Sequence, residues 1–220
     1  MDHIGIASRE QRRSDCYRFL AACFYPPAEF LLTDKDFIDN LARLLSVQSP
    51  KTATHCASLK KSLTNMNMSD LAVEHAALFV GPFQLKAPPY GSVYLEEGQG
   101  IMGKTTMAVQ SIYQSAGLEV VCKEVPDHII FELEFMSYLC GRTAELLLAN
   151  EETETVTLLI RQQRDFLTRF LTKWVPQFCE AIKTESSNLF YNGVADCLNT
   201  FIAFETYDYP CDSLKRTVAA

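Results

Sequence analysis

Three polar side chains lie near the predicted start of a helix: Asp127, His128 and Glu132. His128 and Glu132 are four residues apart and would therefore share one face of that helix. A carboxylate beside an imidazole can transfer protons, supply two ligands of a metal site, or hold a polar group of a ligand. A metal site would need a further ligand, for which Glu74 and His75 are the only obvious candidates. We predict no catalytic residue and no metal here, and two interpretations stay open: contact with a bound peptide and a purely structural role.

A second pattern with chemical meaning runs from Gly98 to Thr105 and matches G-x-x-x-x-G-K-[ST]. In a phosphate-binding loop of this kind, Lys104 would reach the terminal phosphates and the Thr105 hydroxyl would bind Mg²⁺. Such a loop needs a parallel sheet behind it, and the chain offers no suitable strands. Glu96 and Glu97 would also place negative charge beside the phosphates. The pattern therefore favours a glycine-bearing loop before a helix, and a nucleotide site using Lys104 and Thr105 is the alternative function.

Apolar and aromatic residues gather in and around one long loop, which is rich in Pro and Gly and lies between the helices predicted at about 71–80 and 103–116. Loops of about twenty residues are usually functional or disordered, and this one carries too many apolar residues for a solvated linker. Such residues could line a groove for an apolar peptide, or they could seal the protein's own core. The residues alone favour neither reading. The set comprises Leu78, Phe79, Phe83, Tyr90, Tyr94 and Phe135.

The composition narrows the classes of function. With 220 residues, 48% hydrophobic and 21% charged, the chain suits one large globular domain or two small ones. Its formal net charge of −7 argues against nucleic acid and is compatible with a basic peptide partner. No apolar run approaches the about 18 residues that would favour insertion in a membrane. The eight cysteines show no zinc-site spacing, and their apolar surroundings predict buried thiols.

The elements that position these residues are predicted to be helices. Apolar faces at helical spacing predict helices over about 8–24, 37–45, 71–80, 103–116, 126–149, 154–174 and 188–206, with a loop and a weak helix at about 48–67. Asp70 is the predicted N-cap of the helix that follows it, and Arg12 and Arg13 are interpreted as a solvated face of the first helix. We predict an all-α fold, a single multi-helix bundle with one long loop. The whole chain, 1–220, would form one domain, or two parts, 1–117 and 125–206, joined by a hinge.

Several short motifs together resemble the TorD/DmsD family of redox-enzyme maturation chaperones, which is related more distantly to NarJ. The resemblance extends over about 14–205, and Tyr90 stands where some members have Trp. The motifs are Leu78-Phe79-x-x-Pro82, Pro89-Tyr90-Gly91-Ser92-Val93-Tyr94-Leu95, Pro126-Asp127-His128, Glu132-x-x-Phe135-Met136, Trp174-x-Pro176-x-Phe178 and Phe190-Tyr191.

The resemblance implies an all-helical cytoplasmic chaperone that is not an enzyme and uses no cofactor. Such a protein binds the twin-arginine signal peptide and the apoprotein of a molybdenum-cofactor oxidoreductase catalytic subunit, assists cofactor insertion and delays export. It would be a monomer or a domain-swapped dimer, without stable membrane insertion. A structural helical adaptor is a further alternative.

Carried over by position, the resemblance also implies which residues bind the peptide. The apolar stretch of the peptide would enter a groove, and its arginines would approach Asp127. Protonation of His128 is a hypothesis for tuning that contact. The residues that match the family's pocket are Leu78, Phe79, Pro89, Tyr90, Ser92, Asp127 and His128, and Tyr94, Glu132 and Phe135 from the constellations above are added to them.

Overall fold

The computed structural model describes residues 3–27, 35–48, 50–63, 67–81, 85–98, 100–121, 124–150 and 153–207. Within these ranges every regular element is a helix, and the only strand-like pairing is one antiparallel bridge between Tyr90 and His128. The all-α prediction is confirmed. No helix in the described ranges combines the length and the apolar character needed to cross a membrane.

The helices pack as a bundle in which neighbours along the chain are often neighbours in space. Helix by helix, the bounds are α1 His3–Ala22, α2 Lys35–Gln48, α3 Pro50–Leu63, α4 Met68–His75, α5 Gly91–Leu95, α6 Lys104–Ser115, α7 Ile129–Leu148, α8 Thr153–Phe166, α9 Thr172–Glu185 and α10 Leu189–Tyr207. Helix α4 continues into a π-helical turn at Ala76–Val80, and a second π-helical turn at Leu167–Leu171 joins α8 to α9. The first helix packs along α7, whereas α3 and α9 both pack against α10.

Two local predictions were wrong. The polar segment predicted as a loop with a weak helix forms the full helix α3, which begins with Pro50. Proline is favoured at the first position of a helix, and Cys56 and Leu59 bury one face of α3 in the core. Helix α4 begins earlier than expected, because Asn67 and not Asp70 is its N-cap. The Asn67 side chain accepts the backbone N–H of Asp70 at 2.8 Å.

The core is built mainly from large apolar and aromatic side chains. Trp174 is fully buried, and its ring stacks on that of Tyr94 with centroids 5.7 Å apart. The Sγ atoms of Cys56 and Cys197 lie 3.6 Å apart in the same core. The cysteines of the described ranges are all buried free thiols, as their apolar surroundings predict: Cys16, Cys23, Cys56, Cys140, Cys179 and Cys197.

Arg13 corrects the interpretation of the first helix. Its side chain is 1% exposed and does not belong to a solvated face. The guanidinium donates to Glu10 at 2.8 Å, to Glu205 at 2.8 Å and to Gln163 at 2.6 Å. The Tyr17 hydroxyl also donates to Glu205, at 3.1 Å. Arg13 therefore joins α1 to α8 and α10 through buried polar contacts. Its burial is tolerated because its charge is balanced by the buried carboxylates of Glu10 and Glu205, which would otherwise lack a counter-charge.

Candidate functional site

Asp127 holds the long loop against the rest of the protein. One carboxylate oxygen accepts the backbone N–H of Ser92 at 2.6 Å, and the other accepts the hydroxyl of Thr106 at 2.9 Å. The side chain is fully buried. Because Ser92 and Thr106 lie in the first turns of α5 and α6, Asp127 fixes the starts of both helices to the start of α7. The predicted contact between Asp127 and a peptide arginine would need an exposed carboxylate, and this geometry does not offer one.

The same corner pairs Tyr90 with His128. Next to their backbone bridge, the backbone N–H of Gly91 donates to the carbonyl oxygen of Asp127 at 2.9 Å. The rings of Tyr90 and His128 meet edge to face, with centroids 5.3 Å apart. The structure therefore brings the aromatic residue of the loop and the histidine of the helix start together on one wall.

His128 is the N-cap of α7. Its Nδ1 accepts the backbone N–H of Ile130 at 3.2 Å, so the neutral ring carries its proton on Nε2. Burial lowers the pKa of His128 from its usual 6.5 to about 4, although the carboxylates of Glu124 and Asp127 act in the opposite direction. Protonating Nδ1 would also remove the cap, so His128 is neutral at physiological pH.

Acidification is expected to destabilise the protein through His128. The pKa of His128 is about 4 in the folded state and 6.5 when exposed, so its contribution to stability is complete above pH 6.5 and is lost as the pH falls towards 4. The loss amounts to about 3 kcal/mol. The measurement is urea unfolding of the wild type and of His128→Asn at several pH values, since Asn also caps helices but does not titrate. The advantage of the wild type over the variant should shrink as the pH is lowered, and a difference independent of pH would contradict the prediction.

Glu132 lies inside the protein, not on a ligand-facing surface. Its Oε2 accepts the indole N–H of Trp174 at 2.9 Å, and its side chain is fully buried. Burial raises the pKa of Glu132 well above its ordinary value. Gly91 approaches this pair so closely that a Cβ at Gly91 would lie 3.1 Å from the Trp174 Nε1 and 3.2 Å from the Glu132 Oε1. Asp127, His128 and Glu132 therefore have separate partners and do not form an acid–base couple.

A cavity of about 730 Å³ opens beside the Tyr90–His128 pair. We call it the aromatic cleft. It lies between the turn that follows α1, the π-helical turn after α4, the long loop and the first turn of α7. Its lining residues are Phe24, Tyr25, Pro26, His75, Phe79, Val80, Pro89, Tyr90, Glu124, His128, Ile130 and Phe131.

The predicted site residues fall into two groups. Four of them line the aromatic cleft: Phe79, Pro89, Tyr90 and His128. The others lie behind it or elsewhere: Leu78, Ser92, Asp127 and Glu132 are fully buried, Tyr94 stacks on Trp174, and Phe135 packs against Tyr113 and Phe166. Phe83 lies outside the described residues.

Sequence reasoning missed several cleft residues. His75 precedes Leu78 and Phe79 by three and four residues, a helical spacing that could have identified it. Phe131 follows His128 closely and could have been found in the same way. Phe24 and Tyr25 come from the turn that follows α1, and nothing in the local sequence places them here.

The charged residue that the structure places on the wall of the aromatic cleft is acidic. Among its described lining residues the charged side chain is Glu124, whose Oε1 accepts the Tyr90 hydroxyl at 3.0 Å. His75 donates from Nε2 to the carbonyl oxygen of Phe24 at 3.1 Å, and burial lowers its pKa. Both histidines of the cleft are therefore neutral at physiological pH, and the cleft combines aromatic walls with one exposed carboxylate.

The segment that resembles a phosphate-binding loop has a different construction. Glu96 Oε1 accepts the backbone N–H of Thr105 at 2.5 Å, at the N-terminus of α6. Hydrogen bonds from Thr105 lower the pKa of Glu96, so a carboxylate occupies the place that a phosphate would need. The parts of the chain that the structure describes contain no strand that could precede such a loop. This geometry does not support nucleotide binding by Lys104 and Thr105.

The described ranges contain no group of three or more His, Cys, Asp or Glu side chains that could hold a metal ion. Glu74, one of the ligands considered from the sequence, instead accepts a hydrogen bond from the hydroxyl of Ser186.

Comparison with solved structures identifies the fold. A crystal structure from Archaeoglobus fulgidus, described as a redox enzyme maturation protein, matches with a TM-score of 0.54 and 22% sequence identity. The match covers 87% of this chain and 93% of the other. The bundle is therefore of the same type as that structure.

Comparison with curated proteins finds chaperones. The chaperone protein TorD of Vibrio parahaemolyticus is 28% identical over 139 residues, covering 62% of this chain and 63% of that protein. The chain thus spans less than two thirds of this relative. A probable Tat proofreading chaperone DmsD of Haemophilus influenzae is 27% identical over 188 residues, covering 81% and 82% of the two chains. These names describe chaperones, which supports the prediction that the chain is not an enzyme.

A family model described as the nitrate reductase delta subunit matches residues 48–180, more than half of the chain. The resemblance to the TorD/DmsD chaperones is confirmed, and the chain belongs to the nitrate reductase delta subunit family.

Proposed function

We propose that the protein is a cytoplasmic chaperone that binds the twin-arginine signal peptide and the apo form of a molybdenum-cofactor oxidoreductase subunit. It would assist cofactor insertion and delay export until the subunit is mature. The observation that carries the proposal is the aromatic cleft, in which the Tyr90–His128 pair, Phe79 and Pro89 surround a space of about 730 Å³. A cleft with apolar walls and a few polar groups is the usual form of a site for an apolar ligand.

The two halves of the peptide would use different parts of the aromatic cleft. Its apolar stretch would lie against Phe79, Val80 and Phe131, and an arginine would pair with Glu124. Glu124 takes the role that the sequence suggested for Asp127, because Glu124 is exposed and Asp127 is buried with both oxygens occupied. Neutral His128 shapes the wall and does not compete with the arginine for the carboxylate.

The expected affinity follows from these contacts. Burying each apolar side chain contributes about 1.5–3 kcal/mol, and a charge-assisted hydrogen bond contributes about 1.5–3 kcal/mol. Ordering the peptide offsets part of this sum. Two or three buried side chains with one ion pair are consistent with micromolar or tighter binding. Since His128 has a pKa of about 4, its protonation does not tune the affinity between about pH 5.5 and 8.

Val80→Arg is expected to weaken binding of a twin-arginine peptide by at least about tenfold. Val80 lines the aromatic cleft and is 61% exposed, so arginine there is compatible with the fold. It would bring a positive charge and a polar group into the space of the apolar stretch. The measurement is isothermal titration with a synthetic peptide that has two consecutive arginines followed by an apolar stretch.

The matched control is Val73→Arg. Val73 is 67% exposed on α4, does not line the aromatic cleft and receives the same substitution. This variant should bind the peptide as the wild type does. The proposal fails if the wild type does not bind the peptide, or if both variants bind it equally well.

A further inference from the structure

A second, smaller groove lies next to the aromatic cleft. It has a volume of about 220 Å³ and is formed by the segment after α6 and by one face of α7. We call it the acidic groove. Its apolar lining includes Tyr113, Leu118, Val120 and Phe135, and its charged lining residues are Glu119 and Glu134.

The acidic groove and the aromatic cleft share a wall. Phe131 lines both, so its half-buried ring forms the ridge between them. Tyr25 lines the aromatic cleft, and its hydroxyl donates to Glu134 Oε1 of the acidic groove at 2.7 Å. The two cavities are therefore neighbours that meet at Phe131.

The charged side chains that the structure places on the walls of the two cavities have one sign. Among the described lining residues they are Glu124 in the aromatic cleft and Glu119 and Glu134 in the acidic groove, and none of these lining residues is a lysine or arginine. The two histidines of the cleft have pKa values lowered by burial and add no positive charge at physiological pH. Apolar walls with carboxylates on both sides of a ridge fit a partner that alternates apolar and cationic segments.

We infer that the acidic groove binds a cationic flank of the same peptide whose apolar stretch occupies the aromatic cleft. The peptide would cross Phe131, and its additional lysine or arginine residues would pair with Glu119 and Glu134. This inference rests on the proposed function and extends it. A second basic segment, besides the arginine that meets Glu124, would then strengthen binding, and the two cavities together would contact a longer part of the signal peptide than either does alone.

The expected energetic effect is modest and depends on salt. Exposed ion pairs change an equilibrium by about two- to threefold each. Loss of both should weaken binding by about three- to tenfold at low ionic strength, and raising the salt concentration should reduce the effect because exposed charges are screened.

The test is a double-mutant cycle between the protein and the peptide. The protein variant combines Glu119→Gln with Glu134→Gln, and glutamine at 134 retains an acceptor for the Tyr25 hydroxyl. The peptides are a twin-arginine peptide with a lysine-rich flank and the same peptide with that flank changed to glutamine. The control protein combines Glu180→Gln with Glu185→Gln, two exposed residues of α9 that change the net charge equally and line neither cavity.

The wild type and the control should both prefer the lysine-rich peptide by about three- to tenfold, whereas the groove variant should bind the two peptides equally. If the groove variant keeps the full preference, the inference is wrong, and the proposed function stands as long as Val80→Arg still weakens binding. If the wild type binds neither peptide, the proposed function itself fails.

Sedimentation of the same proteins tests whether a second copy of the chain occupies the acidic groove. A wild-type dimer that the groove variant abolishes would show that a second copy occupies the acidic groove, and would overturn the inference.

Discussion

Replacing Arg13 with methionine is expected to lower the free energy of unfolding by about 3–5 kcal/mol, because it leaves buried carboxylates without their counter-charge. Glu10 and Glu205 both accept hydrogen bonds from the guanidinium and are fully or almost fully buried. Methionine fills much of the same volume, so the loss would come from the charges and only slightly from a cavity. The measurement is urea unfolding followed by helical circular dichroism.

Two further variants separate the charge effect from other causes. Arg18→Met removes an arginine from the same helix that is mostly exposed and pairs with Asp15, and exposed pairs contribute only about 1 kcal/mol or less. Adding Glu10→Gln and Glu205→Gln to Arg13→Met removes the unpaired charges and should recover part of the stability. If Arg13→Met is no more destabilising than Arg18→Met, the buried network does not stabilise the bundle.

Asp127→Ala is expected to lower the free energy of unfolding by about 3–5 kcal/mol as well, since each of its two hydrogen bonds to a charged acceptor contributes about 1.5–3 kcal/mol. The alanine variant leaves the N–H of Ser92 and the hydroxyl of Thr106 buried without their acceptor. Thr106→Val is the intermediate case, because it removes one donor and leaves the other bond intact. Its loss should be about half as large.

Peptide binding by the same variants distinguishes the two roles considered for Asp127. A structural role predicts that Asp127→Ala weakens binding only together with a loss of stability, and that Thr106→Val follows the same trend. A direct contact with an arginine predicts weaker binding at unchanged stability, as the sequence suggested. That second outcome would contradict the hydrogen-bonding pattern around Asp127.

The sequence predicts elements best where the pattern is local. Helices α6, α7 and α10 lie within a few residues of their predicted positions, because their apolar residues repeat at helical spacing. The length of helix α3 was underestimated because its sequence is mostly polar, and only a small face around Cys56 and Leu59 is buried. Arg13 was misplaced for a different reason. One of its partners, Glu205, is 192 residues away, and no local pattern indicates that contact.

In the candidate site, too, local patterns were predictable from the sequence and long-range contacts were not. The pairing of Tyr90 with His128 agrees with the motifs that carry the family resemblance. The residues that close the aromatic cleft from the far side, Phe24 and Tyr25, depend on how α1 ends against the rest of the bundle. The burial of Asp127 could not be read from its neighbours along the chain either, because its hydrogen-bond donors come from two other helices.

The side chains around the start of α7 form two sets with different roles. Asp127 points inward and fastens the loop, and Glu132 is buried against Trp174, whereas Val80, Glu124 and Phe131 line the open space. The inner set maintains the fold, and the outer set determines what the cleft can contact. If the proposed function holds, substitutions in the outer set alone should change which peptide the cleft binds, while the inner set and the fold stay unchanged.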